Sequence, residues 1–299
     1  MDVCFPGQES NFRSRAVNRS GTKGDLGKVE MIDAQTQLYG VIGKPVRHSL
    51  SPIIHNGAFR RMGLNAAYLA FEVENLSAAI NGIRGLGIRG VSVTIPFKTA
   101  IIPFLDQLEE VAGKIQAVNT ICHEGGKLIG HNTDWRGAVE ALEEKIDLRE
   151  KKVLLLGAGG AARAIAFGLK ERGCQVFIAN RSLEKGQKLA AAMGFACLPL
   201  AAINGLDVQV IINATAVGMH PQDSETPWPK ELLKEGIVVM DIVYQPVRTK
   251  FLHEAEERGC RTIDGLEMLA RQGAAQIEIW TGKKPDIRPI KRDLQRALR

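Results

Sequence analysis

Cysteine is scarce and scattered: Cys4, Cys122, Cys174, Cys197 and Cys260 in 299 residues, none of them in a CxxC pair. An odd number of isolated thiols excludes a disulfide scaffold and a thiolate metal centre, and fits a reducing cytoplasm. Long apolar runs are also missing. Stretches such as VSVTI at 91–95 and VLLL at 153–156 fall far short of the ~18–20 residues that span a bilayer, so no membrane segment is expected. No block of Lys and Arg marks a nucleic-acid arm. The 39 basic residues are spread along the chain against 33 acidic ones, a net charge of +6 that can still serve anionic small molecules. The six histidines lie at scattered positions without metal-ligand spacing, so no metal is expected. Residues 1–30 have neither periodicity nor the apolar core of a secretory signal. Asp2, Glu9, Asp25 and Glu30 argue against a transit peptide. This segment is expected to be a disordered extension, too polar to bury a core and dispensable for activity.

What remains is the composition of a globular protein, 45% hydrophobic and 24% charged, with a length that favours two domains. From residue 38 strand-like and helix-like stretches alternate. Strands are expected at 38–43, 66–73, 90–95, 116–123, 127–132, 151–157, 174–180, 208–214 and 237–243. Helices are expected at 53–62, 76–86, 134–145, 161–172, 183–193, 265–281 and 286–298, with short helices in 97–112. Ser51 reads as an N-cap with Pro52 at the first helical position. Such alternation implies parallel βαβ units and doubly wound α/β sheets.

Gly157-Ala158-Gly159-Gly160-Ala161-Ala162 lies between an apolar strand and an apolar helix. Gly157 suits a tight turn, Gly159 lets backbone approach a pyrophosphate, and Ala162 permits close helix–strand packing. The helix start then offers free N–H groups to phosphates. At the end of the next strand, where a cofactor with a free 2′-hydroxyl calls for Asp or Glu, the chain has Asn180-Arg181-Ser182. A guanidinium suits a 2′-phosphate, so NADP is expected over NAD.

Three polar clusters in the first half are unusual for a structural domain. His48-Ser49-Leu50-Ser51-Pro52 brings two hydroxyls to a helix start, a natural cradle for a carboxylate. Val93-Thr94-Ile95-Pro96-Phe97-Lys98 ends a strand with a lysine among apolar residues, and Asn119-Thr120 and Asn132-Thr133-Asp134 add small polar groups at two further strand ends. Ligands of open α/β sheets bind at the carboxyl ends of strands. An ammonium held by a carboxylate supplies both the proton and the charge stabilisation that ketone reduction needs.

These stretches resemble the shikimate dehydrogenase family. The matches are YGVIGKPVRHSLSP (39–52), VSVTIPFKT (91–99), AVNTI (117–121), HNTDW (131–135), GAGGAARA (157–164), NRS (180–182), NATAVGM (213–219), DIVYQPVRT (241–249) and DGLEMLARQGAAQ (264–276), in the family's order. The resemblance implies NADP-dependent interconversion of 3-dehydroshikimate and shikimate, a step toward aromatic amino acids. It implies that Ser49, Ser51 and Tyr244 hold the substrate carboxylate and that Thr94, Asn119 and Gln272 bind ring hydroxyls. On the same resemblance Lys98 and Asp134 would form the catalytic pair, with Lys98 transferring the proton. Gly157, Ala158, Gly159, Gly160 and Ala161, together with Asn180, Arg181, Ser182 and Lys185, would hold NADP. Ile242, Gly265 and Met268 would lie near the nicotinamide, and Glu110 matches a cofactor-side position of the family.

The implied fold has two α/β domains flanking a cleft. A discontinuous substrate-binding domain comprises 31–134 plus 264–299, and a Rossmann-type NADP-binding domain spans 135–263. The implied protein is cytoplasmic, takes a small-molecule substrate, engages neither membrane nor nucleic acid, and allows a homodimer. Three features depart from the family pattern: Ser92 stands in place of the usual Asn, Trp135 in place of the more frequent Gly, and residues 1–30 have no counterpart. Two alternatives remain open. One is a quinate/shikimate dehydrogenase using either nicotinamide cofactor, against which Arg181 and Phe97 weigh. The other is a non-catalytic NADP(H) sensor, which would need the glycine turn and Arg181 but not Lys98, Asp134 or the serines.

Overall fold

Strands rich in Val, Ile and Leu bury both faces when they run parallel beneath helices, and the second half of the chain is built that way. The computed structural model describes residues 32–203 and 205–298; the extension expected at 1–30 lies outside them. Strands β7 (Lys152–Leu156), β8 (Gln175–Ala179), β9 (Ala196–Leu198), β10 (Val210–Asn213), β11 (Val238–Asp241) and β12 (Arg261–Ile263) form one sheet in the order β12-β11-β10-β7-β8-β9. Every pairing in it is parallel. Numbered from β7, this is the dinucleotide-binding order 3-2-1-4-5-6, whose direction reverses between β7 and β10. Helices α6 (Gly160–Glu171), α7 (Leu183–Met193) and α8 (Lys250–Glu257) supply crossovers.

The first half forms a second six-stranded sheet, in the order β2-β1-β3-β5-β6-β4. Its strands are β1 (Gln37–Gly43), β2 (Ala66–Glu72), β3 (Gly90–Val93), β4 (Gln107–Leu108), β5 (Thr120–Glu124) and β6 (Lys127–His131). Here the parallel expectation is corrected. β3 pairs antiparallel with β5, and β5 with β6; Gly125 and Gly126, both at positive φ, close the two-residue hairpin between β5 and β6. Helices α1 (Ser51–Arg61), α2 (Leu76–Gly85), α3 (Phe97–Ala100), α4 (Glu110–Ile115) and α5 (Asp134–Glu143) precede or flank the strands.

Helices α9 (Gly265–Thr281) and α10 (Ile287–Ala297) end the described chain. Leu266, Ala270, Ala274, Ile277, Ile290 and Leu294 from this pair share an apolar cluster with Tyr39, Leu50, Ile54 and Phe59 of the first half. Helix α5 instead gives Ala138, Val139, Ala141 and Leu142 to the cluster beneath the parallel sheet. α5 and α9 cross so closely that a side chain at Gly137 would come within 3.0 Å of the Gln272 backbone nitrogen. The expected elements all occur, most with shifted ends. The strand expected at 116–123 starts at Thr120, since Gln116 adopts a left-handed conformation that caps α4. Strands β4, β9 and β12 and helix α8 had no counterpart in the sequence reading.

Candidate active site

Lys98, in the short helix α3 that follows β3, is placed by two backbone hydrogen bonds. Phe97 N donates to Thr94 O at 2.9 Å and starts α3, and Val118 N donates to Lys98 O at 2.7 Å. Asp134 is fixed as the first residue of α5 by an Asx turn. Asn132 Oδ1 accepts from Asp134 N at 3.0 Å, and Asn132 Nδ2 donates to Ala117 O at 2.8 Å. Lys98 Nζ then donates to Asp134 Oδ2 at 2.5 Å, with the side chains 17% and 5% exposed. An ion pair so enclosed is held by geometry as well as charge. Phe97 packs on the apolar cluster beneath the first sheet. Ile95, read from the sequence as an apolar neighbour of the lysine, is instead 63% exposed, because β3 ends at Val93 and strand alternation no longer applies to it.

Asn119 sits beside the pair. Its Nδ2 donates to Asp134 Oδ1 at 2.8 Å and lies 2.9 Å from Thr133 Oγ1 and 3.3 Å from Gln272 Oε1. Thr94, half-buried, follows directly on β3. Lys98, Asp134, Asn119 and Gln272 are thus brought together from four segments.

The serine cradle differs from the expected cap. Ser51 is the first residue of α1, Leu50 occupies the N-cap position, and no side chain caps the helix. Ser49 Oγ accepts from Ser51 N at 3.2 Å, so the loop hydroxyl rather than Ser51 holds the first turn. Ser51 is buried, and its carbonyl accepts from His55 Nδ1 at 2.8 Å. Tyr244, after β11, packs on the apolar cluster that contains Val46 and Leu50, and burial raises its phenol pKa.

The glycine turn closes the other side. Gly157 has φ +120°, and a side chain there would meet Ala214 O at 2.8 Å, which permits only glycine. A Cβ on Gly160 would come within 3.0 Å of Lys98 Cβ, so the turn of the parallel sheet touches the stem of the lysine from the mixed one. The N-terminus of α6 has no side-chain cap and its N–H groups are available to an anion. Ala158, Gly159, Asn180, Arg181, Ser182 and Lys185 line a cavity of about 270 Å³. Asn180 Nδ2 donates to Ser182 O at 2.8 Å, and Ser182 Oγ accepts from Lys185 N at the start of α7. Backbone N–H groups at one end of this cavity and two cationic side chains at the other fit a phosphorylated dinucleotide. Ile242 and Met268 pack in one apolar cluster with Ala158. Gly265 lies so near Ile242 that a Cβ would come within 2.6 Å of its carbonyl oxygen. Glu110 is not gathered in; it is exposed on α4 and accepts from Lys114 at 2.6 Å.

One group went unread in the sequence. Asp241, fully buried at the end of β11, accepts from Asn213 Nδ2 at 2.9 Å, Thr249 Oγ1 at 2.7 Å and Val243 N at 3.0 Å. It anchors the loop that carries Ile242 and Tyr244. Burial pushes its pKa up to about 6, against the pull of those hydrogen bonds. A carboxylate inside the apolar run IVVMDIV was the available signal.

The chain is similar to known proteins along most of its length. The shikimate dehydrogenase substrate-binding domain matches residues 41–121, the shikimate/quinate 5-dehydrogenase model 140–244, and the shikimate 5′-dehydrogenase C-terminal domain 265–295. The NADP(+) shikimate dehydrogenase of Thermococcus kodakarensis is 51% identical over 262 residues, covering 86% of this chain and 95% of that one. A crystal structure of a shikimate dehydrogenase with NADP+ superposes with a TM-score of 0.87 at 44% identity, over 92% of this chain and all of the other. The Thermus thermophilus shikimate 5-dehydrogenase, solved with NADP(H) and shikimate, gives 0.83 at 39% identity, over 88% of this chain and all of that one. With two six-stranded sheets meeting at Lys98 and the glycine turn, this chain belongs to the shikimate dehydrogenase family.

Proposed function

We propose that Lys98 and Asp134 carry the family's reaction in this chain, the reversible NADP-dependent reduction of 3-dehydroshikimate to shikimate in aromatic amino acid biosynthesis. The observation that carries this reading is the enclosed Lys98–Asp134 pair lying against Gly160: proton donor and nucleotide turn meet at one point. NADPH, when bound, supplies the hydride. Arg181, Lys185, Asn180 and Ser182 hold its ribose phosphate end, residues 157–161 its pyrophosphate, and Ile242, Gly265 and Met268 border its nicotinamide. Lys98 Nζ gives its proton to the substrate oxygen as that oxygen becomes an alkoxide. Asp134 Oδ2 keeps the ammonium aimed, while Asn119 occupies Oδ1 of the same carboxylate. Ser49, Ser51 and Tyr244 receive the substrate carboxylate, and Thr94, Asn119 and Gln272 its ring hydroxyls.

Residues 31–134 with 264–299 serve as the substrate-binding domain and 135–263 as the NADP-binding domain. The sharing of one apolar cluster by α1, α9 and α10 supports this division. The isolated cysteines, of which the four described are free, support a cytoplasmic setting. No helix among the described residues is long and apolar enough to cross a membrane.

The test is the rate of nicotinamide absorbance change with shikimate or quinate, each with NADP or NAD. Quinate carries an extra hydroxyl on a tetrahedral carbon beside the carboxylate, and burying it without a partner costs kcat/KM at least about tenfold. Shikimate with NADP is expected to be the best pair. Equal kcat/KM for both acids would move the chain to the quinate/shikimate class.

A further inference from the structure

We infer that Thr120 and Gln276 are positioning residues for this reaction, the last members of a buried hydrogen-bond relay that fixes which way round the Asn119 amide sits. The relay begins at Tyr68, wholly buried on β2, whose hydroxyl donates to Ser92 Oγ at 2.6 Å. Ser92 has one proton, and it goes to Gln276 Oε1 at 2.8 Å. That fixes the Gln276 amide, so both hydrogens of Nε2 point at the first sheet, to Asn119 O and to Thr120 Oγ1, each at 3.0 Å. Having accepted there, the Thr120 hydroxyl gives its own proton to Asn119 Oδ1 at 2.7 Å. Thr133 N donates to the same oxygen at 2.8 Å.

With Oδ1 filled from two sides, Asn119 has its NH₂ facing Asp134 and Gln272. A flipped amide would set N–H against the Thr133 N–H and a carbonyl oxygen against the Asp134 carboxylate, two repulsive contacts in place of two attractive ones. Asn119, Thr120, Ser92 and Gln276 are all buried, so water does not compete for these bonds and an unmade one is costly. The far end is braced as well. The His55 ring stacks on Tyr68 at 4.0 Å and 6°, while its Nδ1 donates to the Ser51 carbonyl. Ser92, which departs from the family's usual Asn, is short enough to sit as a relay member between Tyr68 and Gln276.

This inference rests on the reading of Asn119 as a substrate contact, and the experiment separates the two. Thr120→Val keeps the shape and removes the hydroxyl; kcat/KM for shikimate should fall roughly tenfold, with KM for NADP unchanged. Thr120→Ser keeps the hydroxyl and loses a buried methyl, so it should lower Tm yet hold kcat/KM near that of the unsubstituted enzyme. Loss of kcat/KM in Thr120→Ser as deep as in Thr120→Val would show that packing matters rather than the hydroxyl, and would overturn the relay. So would unaltered kinetics in Thr120→Val alongside an impaired Asn119→Ala. An unimpaired Asn119→Ala would overturn the site reading itself, and the relay with it. If Thr120→Val does not fold, Ser92→Ala, which breaks the relay upstream, should show a smaller fall of the same kind, and unchanged kinetics there would overturn the relay.

Discussion

The two sheets solve different problems. The parallel sheet has apolar strands, and its site is made by backbone at the glycine turn and by exposed cations at a strand end. The mixed sheet buries Asn119, Thr120, Asn132, Thr133 and Asp134 at one end and satisfies them with one another. A dinucleotide brings its own charges, so a groove with N–H groups and a guanidinium suffices to hold it. A small ring with a carbonyl to be reduced requires fixed dipoles already aimed at the place where charge will develop. The difference teaches that a cofactor groove can be built at the surface, whereas the proposed proton donor Lys98 is set among buried polar groups.

The sharpest way to break this contrast is at Lys98. Lys98→Ala should lower kcat by about 10²–10⁴ while shikimate KM changes much less. Asp134→Asn should also lower kcat, since it removes the charge that Lys98 Nζ meets at 2.5 Å. Steady-state rates decide it, and near-native turnover in Lys98→Ala would take proton transfer away from the first sheet.

Stability against pH should separate the sheets by sign. Burial pushes the His55 pKa down to about 4, from an ordinary value of 6.5. Its folded form therefore binds fewer protons than the unfolded chain between those values, and its contribution is lost as pH falls through the window. Asp241 is raised to about 6 from 3.8. Its folded form binds more protons between those values, and its contribution is lost as pH rises through them. Each effect has a limit of roughly 3 kcal/mol. In denaturant melts from pH 4 to 7, Asp241→Asn should gain on the unsubstituted protein as pH rises, and His55→Gln should gain as pH falls. Slopes of the same sign would refute the assignment.

The smallest effect belongs to the exposed site. Arg181→Ala should weaken NADP about tenfold to a hundredfold, through loss of one charge-assisted contact, and NAD far less. Titrations with both cofactors measure it; equal losses would show that Arg181 does not read the 2′-phosphate.

Local patterns carried much of this protein. Helices α7 and α9 have the ends that their apolar spacing predicts, and the glycine turn with Asn180-Arg181 was legible because a dinucleotide site is built from consecutive residues. The family's motifs made the proposed catalytic and substrate-binding residues nameable before any geometry. Other features had no local signal. Strands β4, β9 and β12 are two or three residues long and exist because a neighbouring strand offers its edge. The hairpin of β5 and β6 did have a local signal in Gly125-Gly126, but that β5 also pairs antiparallel with β3, making the sheet mixed, had none.

The sequence by itself determined the alternation of elements, the nucleotide turn and the inventory of polar side chains, since periodicity and turn chemistry act between near neighbours. Only the tertiary structure decided what those side chains do. It set Gln272 beside Asn119 across 153 positions, and Gln276 beside Thr120 across 156. It also laid Gly160 on Lys98 and buried Asp241 among its donors. A hydrogen bond between distant segments leaves no periodic trace in either one; its direction and strength come from burial and from which partner still has a proton to give.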